Sequence, residues 1–166
     1  DYESIMINFA WEESIDQNTD DQINYNITVI NENTGQPVLD LGDTFDQRKG
    51  IDFNVWNRIR THYFQRLEDM GIEIHMIVGN HTAYYKNTNY VNSPNLLLRE
   101  FPNISIYSGP SEVTVQGRKI LFLPWINTEN KQQTLDLMES TDAEIAMGHL
   151  ELDGFEMVPG MLGHGM

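Results

Sequence analysis

Apolar positions along the chain change period several times, and those changes divide it into elements. Pro37-Val38-Leu39-Asp40-Leu41 is a short, mostly apolar run that stops abruptly at Gly42-Asp43. It reads as a buried strand whose C-terminal end delivers Asp43. From Asp52 to Met70 the apolar residues fall at Phe53, Trp56, Ile59, Tyr63, Phe64, Leu67 and Met70. That spacing is helical, and Gly71 is placed to cap it. Ile72 to Val78 predicts a second strand, ending in Gly79-Asn80-His81. Leu96 to Phe101 suggests a short helix stopped by Pro102, and Ile104 to Tyr107 a strand. Glu112–Gln116 and Lys119–Pro124 flank Gly117-Arg118 and read as a hairpin. Thr128 to Ser140 predicts a polar-faced helix with Leu135 and Met138 as its buried side, and Ala143 to Met147 a last strand before Gly148-His149. Residues 16–35 are polar around Ile27-Thr28-Val29-Ile30 and read as a loop or linker.

One arrangement recurs three times: an apolar strand, a glycine, then a polar side chain that can bind a metal. The three places are Gly42-Asp43, Gly79-Asn80-His81 and Gly148-His149. In open α/β sheets, ligands bind outside the carboxyl ends of the strands, so three such ends can converge on one crevice. A glycine before each lets the backbone turn sharply and approach closely. His62 and His75 fall inside the long helix and the second strand and read as ordinary structural residues.

Composition narrows the chemistry. At 166 residues and 40% hydrophobic, the chain is long and apolar enough for one globular domain, taken as residues 1–166. There is no cysteine, so a metal would be held by oxygen and nitrogen donors, which suit Mn, Fe, Zn or Mg. No apolar run reaches the length of a membrane-spanning helix and no signal-peptide pattern opens the chain, so a cytoplasmic protein is expected. The net charge is −15, with 25 acidic against 10 basic residues. Such a surface is not expected to hold DNA tightly by itself; if the substrate is nucleic acid, metal ions or a basic partner must supply the attraction. No phosphate-binding P-loop and no dinucleotide-binding glycine motif is present.

In order and spacing, Gly42-Asp43-Thr44-Phe45-Asp46-Gln47-Arg48, Gly79-Asn80-His81 and Gly148-His149 resemble the central motifs of the calcineurin-like phosphoesterases. Ile77-Val78-Gly79-Asn80-His81, Tyr85-Lys86-Asn87-Thr88-Asn89, Leu123-Pro124-Trp125 and Gly148-His149-Leu150-Glu151-Leu152-Asp153-Gly154-Phe155 narrow the resemblance. They look like the T4-type phage recombination endonuclease subunits, which are similar to the nuclease half of the bacterial SbcCD complex. The resemblance runs from about Pro37 to Met166. It implies an α/β fold of two facing β-sheets flanked by helices. It also implies a metal-dependent DNA phosphodiesterase that works with an SMC-like ATPase. Asp43 would bridge two metals, Asn80 and His149 would bind the second, and His81 would act as the general acid, oriented by Asp46. Arg48 would either contact phosphate or brace the loop.

The family pattern is incomplete in this sequence. Its first motif, Asp-x-His, has no match; Ile5 to Glu12 is the nearest segment, where Ala10 and Glu12 stand near the expected positions. Glu12 is either a ligand or part of a packed strand and helix start. The last motif, Gly-His-x-His, is not found, and Gly163-His164-Gly165 reads as non-ligating. The family's partner-binding region is also not among these residues. Thr82 stands where the family usually has Asp. The expectation is an incomplete chain that binds at most one metal, with weakened nuclease activity. Two other readings stay open: a phosphoesterase acting on small phosphoesters, and a non-catalytic scaffold.

Overall fold

The chain divides into two units, Asp1–Gly35 and Gln36–Met166. The computed structural model describes residues 36–151 and the backbone of two short strands beyond them. The expectations placed on residues 1–35 (Glu12 included) and on His164 lie outside the described residues.

Three parallel strands form the first sheet: β1 (Val38–Asp40), β2 (Ile74–Ile77) and β3 (Ile104–Tyr107), in that order. The second sheet holds β4 (Ser111–Val115), β5 (Arg118–Leu123) and β6 (Ile145–Gly148). There β4 runs antiparallel to β5, and β6 runs parallel to it. A separate two-stranded ribbon, β7 (Glu156–Val158) and β8 (Met161–Leu162), follows. Among the described residues no helix is long and apolar enough to cross a membrane.

The sheets meet face to face. Ile77 of β2 packs with Val115, Ile120 and Phe122 of the second sheet, and Leu39, Tyr107, Val113, Ile145 and Met147 close around them. Side chains alternate along a strand, so His75 shares the inner face with Ile77. Its ring stacks 6.0 Å from Tyr107 and 6.1 Å from Phe122, and its Nδ1 lies 2.8 Å from the Tyr107 hydroxyl. His75 is thus a satisfied core residue, as its place in the strand suggested.

The long helical segment is continuous in path but not in type. Helix α1 (Phe53–Ile59) passes through a π-helical turn, Arg60–Phe64, into α2 (Gln65–Asp69). Asp52 caps the start, its carboxylate accepting from the Asn54 and Val55 N–H groups. Gly71 ends it at φ 66°: its N–H donates to Glu68 O, and Ile72 N–H to Leu67 O. That pair of bonds is the Schellman arrangement, which requires a left-handed residue. Tyr63, Phe64 and Leu67 are buried and Phe64 joins a cluster with Phe45, Trp56 and Phe101. Phe53 does not share that face; it follows the cap directly and is 86% exposed.

Three further expectations shift. The short helix is α3 (Ser93–Leu97), not Leu96 to Phe101. Asn92 starts it by accepting from Asn95 N–H, and Pro94 fits its first turn, so Phe101 lies beyond its end. The hairpin turns at Gln116-Gly117, with φ of 49° and 79°, one residue earlier than expected. A two-residue turn with both φ positive matches the twist of its strands. The last helix is α4 (Lys131–Ser140), and its buried residue is Thr134. Leu135 and Met138, expected inside, are 42% and 45% exposed. Thr134 bonds back to the Asn130 carbonyl, and Asn130 is fixed to the Trp125 carbonyl. Those polar anchors set the helix rotation against its weak apolar stripe.

Candidate metal centre

The C-terminal ends of β1, β2 and β6 converge, two from the first sheet and one from the second. After β1 the chain turns through Gly42 and Asp43, with φ of 98° and 60°. A left-handed aspartate is uncommon and needs support. Asp40, buried at the end of β1, supplies it. Its Oδ1 accepts from Gly42 N–H at 2.9 Å and its Oδ2 from the Thr44 hydroxyl at 2.6 Å. Burial raises the Asp40 pKa, against the opposing effect of those two bonds. The sequence reading passed over Asp40 as part of an apolar run; its signal was the local Asp-x-Gly-Asp-Thr pattern, in which an acceptor precedes a turn.

The β2 end closes on this loop from the other side. Asp43 Oδ1 accepts from the His81 N–H at 2.8 Å. A Cβ on Gly79 would lie 2.2 Å from that same Oδ1, so glycine is required by close approach. Thr82, buried, accepts from Gly79 N–H through its hydroxyl and donates to Gly79 O. It orders the turn without a carboxylate. The half-exposed His81 ring places Nδ1 3.1 Å from Asp46 O and 3.2 Å from Asp46 Oδ1.

His149 crosses from the second sheet. Its backbone N–H bonds to Leu123 O, and its Nδ1 lies 2.9 Å from Leu41 O. A carbonyl only accepts, so Nδ1 carries a proton. Nε2 then faces Asp43 Oδ2 at 3.1 Å and Asn80 Oδ1 at 2.9 Å. Asn80 Nδ2 donates to Glu151 Oε1, which keeps the amide oxygen turned toward the imidazole. Three lone-pair atoms therefore meet at one point. A cation satisfies that arrangement, and so does a second proton on the ring. Burial works against charge on His149, but the Asp43 carboxylate and the Leu41 carbonyl outweigh it and raise its pKa. Burial likewise works against the Asp43 carboxylate, and His149 with the His81 N–H outweighs it and lowers that pKa.

The sequence-named residues Asp43, Asn80, His149, His81 and Asp46 are thus brought together. Among the described residues no three of His, Cys, Asp and Glu form a metal-binding group; here the third donor is an amide. Arg48 faces the loop and not the donor cluster. Its Nη1 donates to Ala83 O at 3.1 Å and reaches Tyr85 O at 3.5 Å, and its guanidinium lies 5.4 Å from the Trp125 ring centre.

This geometry can be set beside known proteins. The family model for calcineurin-like phosphoesterases matches residues 18–162. The chain belongs to that family. The calcineurin-like phosphoesterases are hydrolases that use divalent metals, and the donor set at Asp43, Asn80 and His149 suits such ions. A curated relative, exonuclease subunit 1 of Enterobacteria phage T4, is 38% identical over 128 residues. The match covers 77% of this phosphoesterase chain and 38% of the relative, so the chain spans well under two thirds of that protein.

Proposed function

We propose that this phosphoesterase is a metal-dependent DNA phosphodiesterase, part of the nuclease subunit of a recombination or repair complex. The observation that carries the reading is the meeting of Asp43 Oδ2, Asn80 Oδ1 and His149 Nε2 without an intervening proton donor other than the imidazole itself. The printed name of the phage T4 relative, an exonuclease subunit, supports the substrate and the idea of a partner.

In this reading Asp43, Asn80 and His149 hold a divalent ion, manganese in preference to Mg, Fe or Zn. Bound there, the ion supplies positive charge to a phosphoryl oxygen and lowers the pKa of a water. His81 protonates the departing sugar oxygen, and Asp46 holds the ring through Nδ1, leaving Nε2 to carry the transferred proton. Arg48 braces the His81 loop from beneath. Among the described residues the donors furnish one such site, and one weakly bound ion with weakened turnover is the reading for this chain. The partner is an SMC-like ATPase and the setting the host cytoplasm. With a net charge of −15, the protein depends on metal or partner to keep duplex DNA in place.

Calorimetric titration with Mn(II), joined to hydrolysis assays on DNA and on p-nitrophenyl phosphates, tests this. Expected are one weak site, lost in Asp43→Ala, and slow cleavage of DNA. Two tight sites would overturn the one-ion reading. Hydrolysis of small phosphomonoesters without DNA cleavage would instead mark a small-molecule phosphoesterase, and no hydrolysis of either a scaffold.

A further inference from the structure

Two of the three loops that carry the candidate site also carry an exposed aromatic and basic surface that none of the chemistry above uses. Tyr84, Tyr85 and Tyr90 are 40%, 50% and 87% exposed. A large aromatic ring normally contributes most by being buried, so three in one solvent-facing loop are not explained by packing. Tyr84 and Tyr85 meet edge to face at 4.8 Å, and the Lys49 ammonium lies 5.7 Å from the Tyr84 ring centre. The limbs of this loop are joined by the Ala83–Asn92 bridge and by Tyr84 N–H to Val91 O. Lys86 stands exposed at the tip.

The frame of this loop is built on buried amides. Asn89, Asn92 and Asn127 are buried. Asn89 Nδ2 donates to Ser108 O and Trp125 O, Asn127 Nδ2 to Asn89 Oδ1, and Asn92 Nδ2 to Asn89 O. Buried amides satisfied this fully fix a loop in place. The electrostatics change here as well. In a chain of 25 acidic residues, positions 74–99 contain no Asp or Glu, while Lys86 lies within them and Arg48 and Lys49 pack against them. The carboxylates nearest this stretch come from other segments, Asp46 on His81 and Glu151 on Asn80, and the tyrosine loop adds none of its own.

We propose that Tyr84, Tyr85 and Tyr90 form a stacking platform for the unpaired bases of a DNA strand, with Lys49 and Lys86 meeting its phosphates. Flat aromatic rings next to flexible cations are the chemistry that holds single strands without reading sequence. A paired duplex hides its base faces and gains nothing from the rings. The role of the platform in feeding a strand to His81 rests on the nuclease reading; the binding itself does not.

The test uses the full chain in chelator, with a short single-stranded oligonucleotide carrying 2-aminopurine, whose fluorescence is quenched on stacking. Wild type is expected to quench the single strand and to bind the matching duplex more weakly. Tyr84→Leu, Tyr85→Leu and Tyr90→Leu should each weaken binding by about 5- to 100-fold. Tyr85→Phe, which keeps the ring, should retain it. Absence of quenching, or leucine variants that bind as wild type, would overturn the proposal. If wild type hydrolyses phosphodiesters but shows no quenching, the platform fails and the enzyme reading stands. Quenching without hydrolysis gives the reverse.

Discussion

Gly79→Ala adds one methyl group at the point where the β1 and β2 loops touch. Built on the existing backbone, the new Cβ lies 2.2 Å from Asp43 Oδ1, 2.7 Å from its Cγ and 2.6 Å from its backbone N. Ordinary contact begins near 3.4 Å, so the carboxylate must retreat by roughly 1 Å, a change that interiors at crystal-like density do not absorb freely. A rotamer change alone does not relieve the contact with the backbone N. The Asp43 loop must move, and Oδ1 then loses the His81 N–H at 2.8 Å. Overpacking costs about 1–3 kcal/mol, and losing a hydrogen bond to a charged group about 1.5–3 kcal/mol. Because the two are not additive, we expect about 2–4 kcal/mol in the urea unfolding free energy. On the proposed function, displacing the Asp43 carboxylate by this much should lower phosphodiester hydrolysis on the order of 100-fold and weaken Mn(II) binding in parallel. Gly50→Ala is the control: nothing lies within 4 Å of its Cβ and its φ is outside the left-handed region. It should be neutral or stabilise by about 0.4–1 kcal/mol. Wild-type metal affinity and hydrolysis in Gly79→Ala would refute the close-approach argument.

Further outcomes follow from other residues. Asp40→Ala strips Gly42 N–H and the Thr44 hydroxyl of their acceptor, and should cost about 2–3 kcal/mol in unfolding experiments while also weakening Mn(II) binding. His81→Ala should leave Mn(II) affinity unchanged and lower DNA cleavage by about 10²–10⁴-fold. With a p-nitrophenyl ester, whose leaving group needs no proton, the loss should be much smaller, and equal losses on both substrates would remove His81 from the acid role. His75 is held neutral, its pKa pushed down by burial, slightly countered by Glu73. In the unfolded chain it takes a proton first, so stability should fall as pH drops below its ordinary value near 6.5. His75→Phe should flatten that part of the stability–pH curve. Leu135→Gln and Met138→Gln lie on the exposed side of α4 and should each change stability by less than about 0.5 kcal/mol; a loss above 2 kcal/mol would mean that this face is covered.

The strand ends were the most legible part of the fold. An apolar run broken by glycine and a polar residue has few structural meanings, and Asp43, Asn80, His81 and His149 all lie where that pattern puts them. Legibility failed where polar side chains, not apolar ones, decide the geometry. The Asn92 cap moved α3 forward, and the Asn130–Thr134 anchor turned α4 away from its leucine and methionine. Asp40 was passed over as part of a short apolar run because its partners are backbone and hydroxyl groups of its own turn. The Asn89–Asn92–Asn127 network joins segments dozens of positions apart in sequence, and nothing in local periodicity announces such a pairing. The tyrosines of the 84–91 loop were visible as letters, but their exposure was not.

His149 belongs by its backbone to the second sheet, yet its imidazole is fastened to the carbonyl that ends the first. A cation seated between it and Asp43 would therefore act as a clasp at one open end of the sandwich. Its binding energy would be added to the work of prying the sheets apart, about 2.7 kcal/mol at a hundredfold excess over the dissociation constant. Slow amide exchange at Ile77 and Leu123 would then report metal loading, and chelation would let that end of the molecule breathe. The same bond network that tunes the chemistry would set the mechanical coupling between the two halves of the core.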